Sequence, residues 1–164
     1  MGILLGIDHG TVRTGLALSD ALEFLAHPHA TVPTEQAPEA IAALVRERGV
    51  TEIVLGLPLR ADGSEGSAAE RVRKFLAQLR PLLPEAVPVV LRDESLTTLE
   101  AHERLREAGK KTRDHRPVVD QAAAVIILQE YLDQRQAGRP MAFPEPEPMD
   151  PGFGGAGLSR RRQR

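Results

Sequence analysis

The chain has 164 residues, a length that suits a single domain, and no cysteine, which excludes disulfides and thiolate chemistry. About 41% of residues are hydrophobic and only 3% aromatic, so the core must be aliphatic. With 21 Lys and Arg against 23 Asp and Glu the net charge is −2, which excludes a whole-chain basic field and leaves any grip on a polyanion to local clusters.

No stretch approaches the roughly 18 apolar residues of a membrane span, and the start of the chain lacks the basic flank and long apolar run of a signal peptide. A reducing, cytoplasmic setting is the expectation. In chain order, Ile3 to Ile7 reads as a buried strand that meets an acid, Asp8. The turn "HGTVRTG" leads into "GLALSD", Gly15 to Asp20, and so short a connection makes the two strands antiparallel. A short third strand is expected near Ala30 to Val32. "TEQAPEAIAALVRERG" reads as a helix capped by Thr34, with Ile41, Leu44, Val45 and Arg48 at helical spacing and Gly49 as the stop. "TEIVLGLP" is a buried strand of β-branched residues, and the loop "LRADGSEGS" follows it. A helix over about Ala68 to Leu83 puts Val72, Phe75, Leu76 and Leu79 on one face. Then come a buried strand "VPVVLRDE", a helix "LTTLEAHERLREAG", a basic loop "KKTRDHR" and a long helix "VVDQAAAVIILQEYLDQ". A strand pair followed by strand–helix alternation argues for an α/β layered domain, its sheet mostly parallel with an antiparallel edge. From about Arg139 the sequence turns Pro- and Gly-rich without periodicity. Residues 139–164 are expected to be a disordered tail after a folded domain of residues 1–138.

Three acids stand out. Asp8 lies where an apolar strand meets a turn, so it can cap its own loop. It also lies at the carboxyl end of a first, central strand, where open α/β sheets bind ligands. Asp93 and Glu94 end another strand at the same kind of edge. They also flank a helix beginning near Thr97, where the macrodipole favours acids. Neighbours on a strand point to opposite faces, so at most one of the two can face Asp8, and parity leaves the choice open. Asp120 falls within the stripe of Ala124, Ile127, Leu128 and Tyr131 at 100° per residue. A carboxylate on a core-facing stripe is costly unless paired. The alternative is an N-cap, since "PVVD" followed by alanines is a good helix start. Gathered in one cleft, three carboxylates repel unless protonated or bridged by cations. Mg²⁺ or Mn²⁺ suits such oxygen ligands, and two such ions about 3.5–4 Å apart can clamp a phosphodiester. No HExxH, CxxC or Walker A run offers a rival chemistry, and His9, His27, His29, His102 and His115 lack zinc spacing.

The segments "GIDHGTVRTGLALSD", "VLGLPLRADGSEGSAAERVRKF", "RDESLTT" and "VVDQAAAVIILQEYL" resemble, in order, the four conserved blocks of the RuvX/YqgF family. The resemblance covers Ile3 to about Asp133. It implies an RNase H-like fold: a mixed sheet with an antiparallel strand pair and helices on both faces. It also implies a metal-dependent nuclease, a Holliday junction resolvase or a processor of the 5′ end of small-subunit precursor rRNA. Asp8, Glu94 and Asp120 become the implied catalytic and metal-binding acids, which breaks the tie between Asp93 and Glu94. The third block departs from the family pattern: Ser95 stands where an Arg is usual, and Arg92 is a candidate substitute. Arg60 and Ala61 replace the more common Asn and Met of the second block.

Nucleic acid is the implied partner, branched DNA or precursor rRNA, with a homodimer suited to two symmetric cuts. Arg13 can reach a phosphate bidentately, or brace the turn against Asp8 or Asp20. Lys110, Lys111, Arg113 and Arg116 crowd the loop before Asp120. Contacts of that kind read the backbone without sequence specificity. The terminal "RRRQR" is a diffuse grip or a solubilising end. Few aromatics are free to stack on bases, because Phe75 and Tyr131 read as core. Two rival functions share these residues. "DHGT" is similar to the phosphate-binding turn of actin-like ATPases, which need two such domains, and the chain has room for one. The other rival is a non-catalytic binding module, against which the retention of all three acids argues.

Overall fold

The structure, a computed structural model, describes residues 2–94 and 116–138, with the side chains of the last helix described from Gln121 onward. The helix expected over "LTTLEAHERLREAG", the basic loop and the C-terminal tail lie outside the described residues. The elements are β1 (Ile3–His9), β2 (Arg13–Ser19), β3 (Ala26–Pro33), α1 (Ala37–Arg48), β4 (Val50–Pro58), α2 (Ser67–Leu79), β5 (Val89–Glu94) and α3 (Arg116–Ala137). Short 3-10 turns precede α1 and follow α2.

The five strands form one sheet in the order β3-β2-β1-β4-β5, with β1 at its centre. β1 pairs antiparallel with β2 and parallel with β4, β2 pairs antiparallel with β3, and β4 parallel with β5. Antiparallel and parallel pairings are therefore equal in number, where a mostly parallel sheet was expected. The difference is β3, which runs for eight residues. The expected three residues, Ala30 to Val32, are its second half; His27, Pro28 and His29 hide the first half, because a half-exposed edge strand need not be apolar. Pro28 and Pro33 both lie on it, and its pairing with β2 shifts register between Leu16 and Ala17.

Alternation along β1 splits the core in two. Leu5 and Ile7 point to one face, where Leu16, Leu18, Ile53, Leu55 and Leu57 meet Ile41 and Val45 of α1 and Val72, Phe75 and Leu79 of α2. Leu4 points to the other, where Ala17 and Val54 meet Ala124, Ile127, Leu128 and Leu132 of α3. Helices thus cover both faces. Ile127, Leu128 and Leu132 are each at most 1% exposed, and burying one such side chain stabilises by about 1.5–3 kcal/mol. Glycine sets the closeness of α3. A Cβ on Gly6 would lie 2.7 Å from Leu128 Cβ and 2.9 Å from the Ala124 carbonyl oxygen, so the helix backbone rests on the central strand.

A polar cluster fastens the far end of α3. Tyr131 Oη and the Arg135 guanidinium both donate to the Glu52 carboxylate of β4. Arg135 also lies 3.8 Å from Glu23, which is buried in the β2–β3 turn with a φ of 62°. Gln136 donates to the Glu23 carbonyl oxygen, and Gln129 bonds to both Phe24 O and Ala26 N. A left-handed glutamate persists because the surroundings over-determine it.

Local signals acted in ways that spacing alone could not specify. Gly49 ends α1 in the left-handed conformation (φ 64°), donating to the Val45 carbonyl oxygen. Thr34 does not cap α1. Its Oγ1 donates to the Gly10 carbonyl and pairs with Thr14 Oγ1, and its N–H donates to the Val12 carbonyl. A residue placed for a helix cap instead ties down the β1–β2 turn.

Candidate active site

β1 continues through Asp8 to His9, so Asp8 is a strand residue rather than part of the turn. It pairs with Gly15 of β2. On the other side the parallel register brings Ile7 level with Leu55, so the next step sets Asp8 beside Gly56. By alternation Asp8 shares the α3 face with Leu4 and Gly6. His9 faces the opposite layer, its ring centroid 4.6 Å from that of Phe75.

Glu94 ends β5 level with Pro58, two residues beyond Arg92, which is level with Gly56. Arg92 reaches Gln134 and Glu130 on α3, so the even-numbered residues of β5 face that helix. The pair left open by parity is therefore separated: Glu94 is buried on the Asp8 face, and Asp93 is exposed on the other. The Glu94 carboxylate leans back over Gly56, where a Cβ would lie 2.5 Å from its Oε1 and 2.7 Å from Ile127 Cδ1. β1 and β5 flank β4 with about 10 Å between them. A carboxylate resting over β4 has crossed about half that gap toward Asp8. Replacing Gly56 with alanine should push Glu94 aside and lower any activity that depends on it by about 10- to 100-fold, the scale seen when a ligand is mis-set by its neighbours. Comparing turnover with thermal unfolding in Gly56→Ala separates that displacement from loss of fold.

Position 120 is reached through α3. The helix begins at Arg116, so position 120 lies in its second turn and is not an N-cap. Four residues of helix rise about 6 Å, and two residues of strand about 6.6 Å. With Ala124 over Gly6, one helical turn back therefore brings the backbone of position 120 level with Asp8. Its side chain lies outside the described residues. Among the described residues no three His, Cys, Asp or Glu side chains gather as a metal site, and the side chain of position 120 lies outside them.

Arg13 opens β2, two residues before Gly15, and alternation sets it on the Asp8 face. A brace with Asp20 is ruled out by position. Asp20 lies beyond the other end of β2 and accepts from the Phe24 and Leu25 amides. The Leu25 amide and then the Phe24 amide hold the Asp20 carboxyl below its ordinary range. Arg92 does not replace the arginine missing at Ser95. Its guanidinium is committed to α3 at Gln134 and Glu130, toward the end away from Asp8, and its Nε is buried without a partner. Lys110, Lys111 and Arg113 lie outside the described residues, as does the Arg116 side chain, although Arg116 itself opens α3 rather than ending a loop. Arg60 is exposed, with Nε 2.7 Å from where a Cβ on Gly66 would lie, and Asp62 holds the loop tip through Ser64.

Burial, and after it the nearby Arg71, lowers the His9 pKa. The folded protein thus resists protonating His9 below its ordinary value of about 6.5, while the unfolded chain takes the proton. The His9 contribution to stability is full above pH 6.5 and declines as the pH falls below it. His9→Gln should flatten that decline, read as the difference in unfolding temperature between the two proteins from pH 8 to pH 5.

A mixed five-stranded sheet in this order, with helices on both faces and Asp8 at the carboxyl end of its central strand, is an RNase H-like fold. Thermus thermophilus RuvC, solved in complex with a Holliday junction substrate, superimposes with a TM-score of 0.55 at 17% identity, covering 83% of this chain and 96% of that one. The chain belongs to the RuvX family, described as Holliday junction resolvase, which it matches over residues 2–134. It is 47% identical over 141 residues to a Kineococcus radiotolerans protein named as a candidate pre-16S rRNA nuclease, spanning 84% of this chain and 74% of the relative. A Leifsonia xyli protein of the same name is 42% identical over 156 residues, covering 93% and 97% of the two chains.

Proposed function

We propose that this protein is a divalent-metal-dependent nuclease that hydrolyses phosphodiester bonds in structured nucleic acid, with Asp8, Glu94 and Asp120 as its ion ligands. The observation that carries the reading is the placement of Glu94 over Gly56 on the Asp8 face of the sheet. Two carboxylates on one face at the sheet edge repel unless protonated or bridged by a cation, and the bare glycine beneath Glu94 leaves room that any side chain would fill. The donors are all carboxylate oxygens, which fits Mg²⁺ or Mn²⁺ rather than a softer metal. Such ions, when bound, polarise a phosphoryl oxygen and make a coordinated water more acidic.

The chain's own groups supply position and charge. Asp8 and Glu94 fix the site relative to the sheet, and position 120 fixes it relative to α3. Arg13, with Lys110, Lys111, Arg113 and Arg116, neutralises phosphates on either side of the reacting bond, so binding weakens as salt rises. The family's description supports a four-way junction as substrate, and the relatives' name supports the 5′ end of precursor 16S rRNA. Two symmetric cuts in a junction require a second copy of the chain, whereas trimming one RNA end requires one. No helix of the described residues is long and apolar enough to cross a membrane, and a cytoplasmic site of action is the reading we adopt.

The test sets a synthetic four-way junction and a precursor rRNA fragment side by side with Mg²⁺ and with Mn²⁺, and measures the mass of the protein in solution. Metal-dependent cleavage of at least one substrate is expected. Tight binding without cleavage in either metal would replace the nuclease with a binding module.

A further inference from the structure

The loop between β4 and α2 carries a cation that its neighbouring acids leave unneutralised. Leu59 continues the line of β4, packs against the core beneath α1 and α2, and bridges antiparallel to Glu65. Alternation therefore turns Arg60 to the opposite face, the one that holds Asp8 and Glu94. The next antiparallel step sets Gly66 beside Pro58, and the Arg60 side chain lies diagonally back across that glycine. A Cβ on Gly66 would be 2.7 Å from Arg60 Nε and 3.3 Å from its Cζ and Nη2. The guanidinium thus folds back toward the level of Pro58, which Glu94 shares on β5. The backbone beneath it is pinned, since Arg60 N–H donates to Ser64 O and Gly63 N–H donates to Arg60 O. Asp62 accepts from Ser64, and Glu65 pairs with Arg73. Among the described residues no carboxylate pairs with Arg60.

Arg13 stands in the matching place on the other side of β1. Continuing the two registers by one step beyond His9 sets both Arg13 and Pro58 level with Gly10. β2 and β4 flank β1, so the two arginines straddle Asp8 on one face, with about 10 Å between their strands. We propose that Arg60 is a substrate-binding residue that holds a phosphate on one side of the reacting bond while Arg13 holds one on the other, so that the bound strand runs across β2, β1 and β4 rather than along them. A guanidinium suits the task because its paired N–H donors match phosphate oxygens. The proposal rests on the nuclease reading above and adds to it a residue and a strand path.

The experiment measures binding of the full chain in Ca²⁺ to a four-way DNA junction and to a precursor rRNA fragment, between about 50 and 200 mM salt. In Arg60→Asn the slope of log affinity against log salt should shrink by about one unit, a loss of about tenfold in affinity near 0.1 M salt. Arg60→Lys should keep the slope, because it keeps the charge. Arg46→Asn, in the last turn of α1 and so at the opposite edge of the sheet, should change neither quantity. Arg60 is exposed, so its variants should unfold at the wild-type temperature. Neutral methylphosphonates are then scanned singly along the bound junction strand. Two separate positions should weaken wild-type binding, with Arg60→Asn insensitive at one and Arg13→Asn at the other. Wild-type affinity and slope in Arg60→Asn overturn the proposal and leave the nuclease reading intact, and so does loss of sensitivity at the same position in both variants. The expected binding changes in a protein that cuts neither substrate with Mg²⁺ or Mn²⁺ keep Arg60 as a strand contact and remove the nuclease. A wild-type protein that binds neither substrate overturns both.

Discussion

Asp8→Asn is expected to lower metal-dependent cleavage by at least about a thousandfold while leaving the unfolding temperature unchanged or slightly raised. Asparagine has nearly the same shape as aspartate, so the strand pairing of Asp8 with Gly15 and its position beside Gly56 are kept. What disappears is the negative charge that, on the proposed reading, holds the cation. If the ion contributes several kcal/mol of transition-state charge stabilisation, and each 1.36 kcal/mol is tenfold in rate, losing about 4 kcal/mol gives the stated effect. Stability should not suffer, because removing one charge from a group of acids relieves repulsion. The measurement is single-turnover cleavage with Mg²⁺ and Mn²⁺, paired with Mn²⁺ titration by calorimetry and with thermal unfolding. A variant that cleaves at the wild-type rate would remove Asp8 from the mechanism, and with it the carboxylate site.

Gly6→Ala should produce a large loss of stability for a single added methyl. The new Cβ would lie 2.7 Å from Leu128 Cβ and 2.9 Å from the Ala124 carbonyl oxygen. The second contact is backbone in the middle of a helix, so no rotamer change can relieve it, and α3 must lift from β1 instead. Overpacking of this kind costs about 1–3 kcal/mol, and separating Ile127, Leu128 and Leu132 from the sheet adds to that. At about 2–4 °C per kcal/mol for a chain of this size, the unfolding temperature should drop by roughly 4–12 °C. Because position 120 rides on the same helix, cleavage should also fall at temperatures where the variant is fully folded. A variant as stable as wild type would mean that α3 does not sit as close to the central strand as described.

The regular parts of the fold could be read from the chain. Strong apolar runs located β1, β4 and β5, helical spacing located α1, α2 and α3, and Gly49 marked an ending that the backbone confirms. What escaped depended on tertiary context. β3 was read as three residues because its outer half is exposed and carries two histidines and a proline. Thr34 looked like a cap, but its hydroxyl found the Gly10 carbonyl across the turn, a bond between residues 24 apart. α3 was read from Val118, with position 120 as a possible N-cap, whereas the helix accepts Arg116 and Pro117 in its first turn, where proline costs nothing. In the site, the choice between Asp93 and Glu94 was open to parity because both sides of β5 read as apolar. The overlooked signal was Arg92: two polar residues at positions 92 and 94 share a face, and that face is the one α3 covers with Glu130 and Gln134. No signal pointed to the bareness of Gly56 beneath Glu94, since turn glycines and glycines that make room look alike in a sequence.

The outer border of β3 limits how copies of this protein can meet. Pro28 and Pro33 have no amide hydrogen to offer, and the register break opposite Leu16 and Ala17 bends the ribbon away from a flat template. A sheet bordered in this way does not grow by adding a neighbour's strand there. Self-association of this chain, whether productive or as fibrils, has to start from another surface, and crowding at high expression should leave this border unpaired.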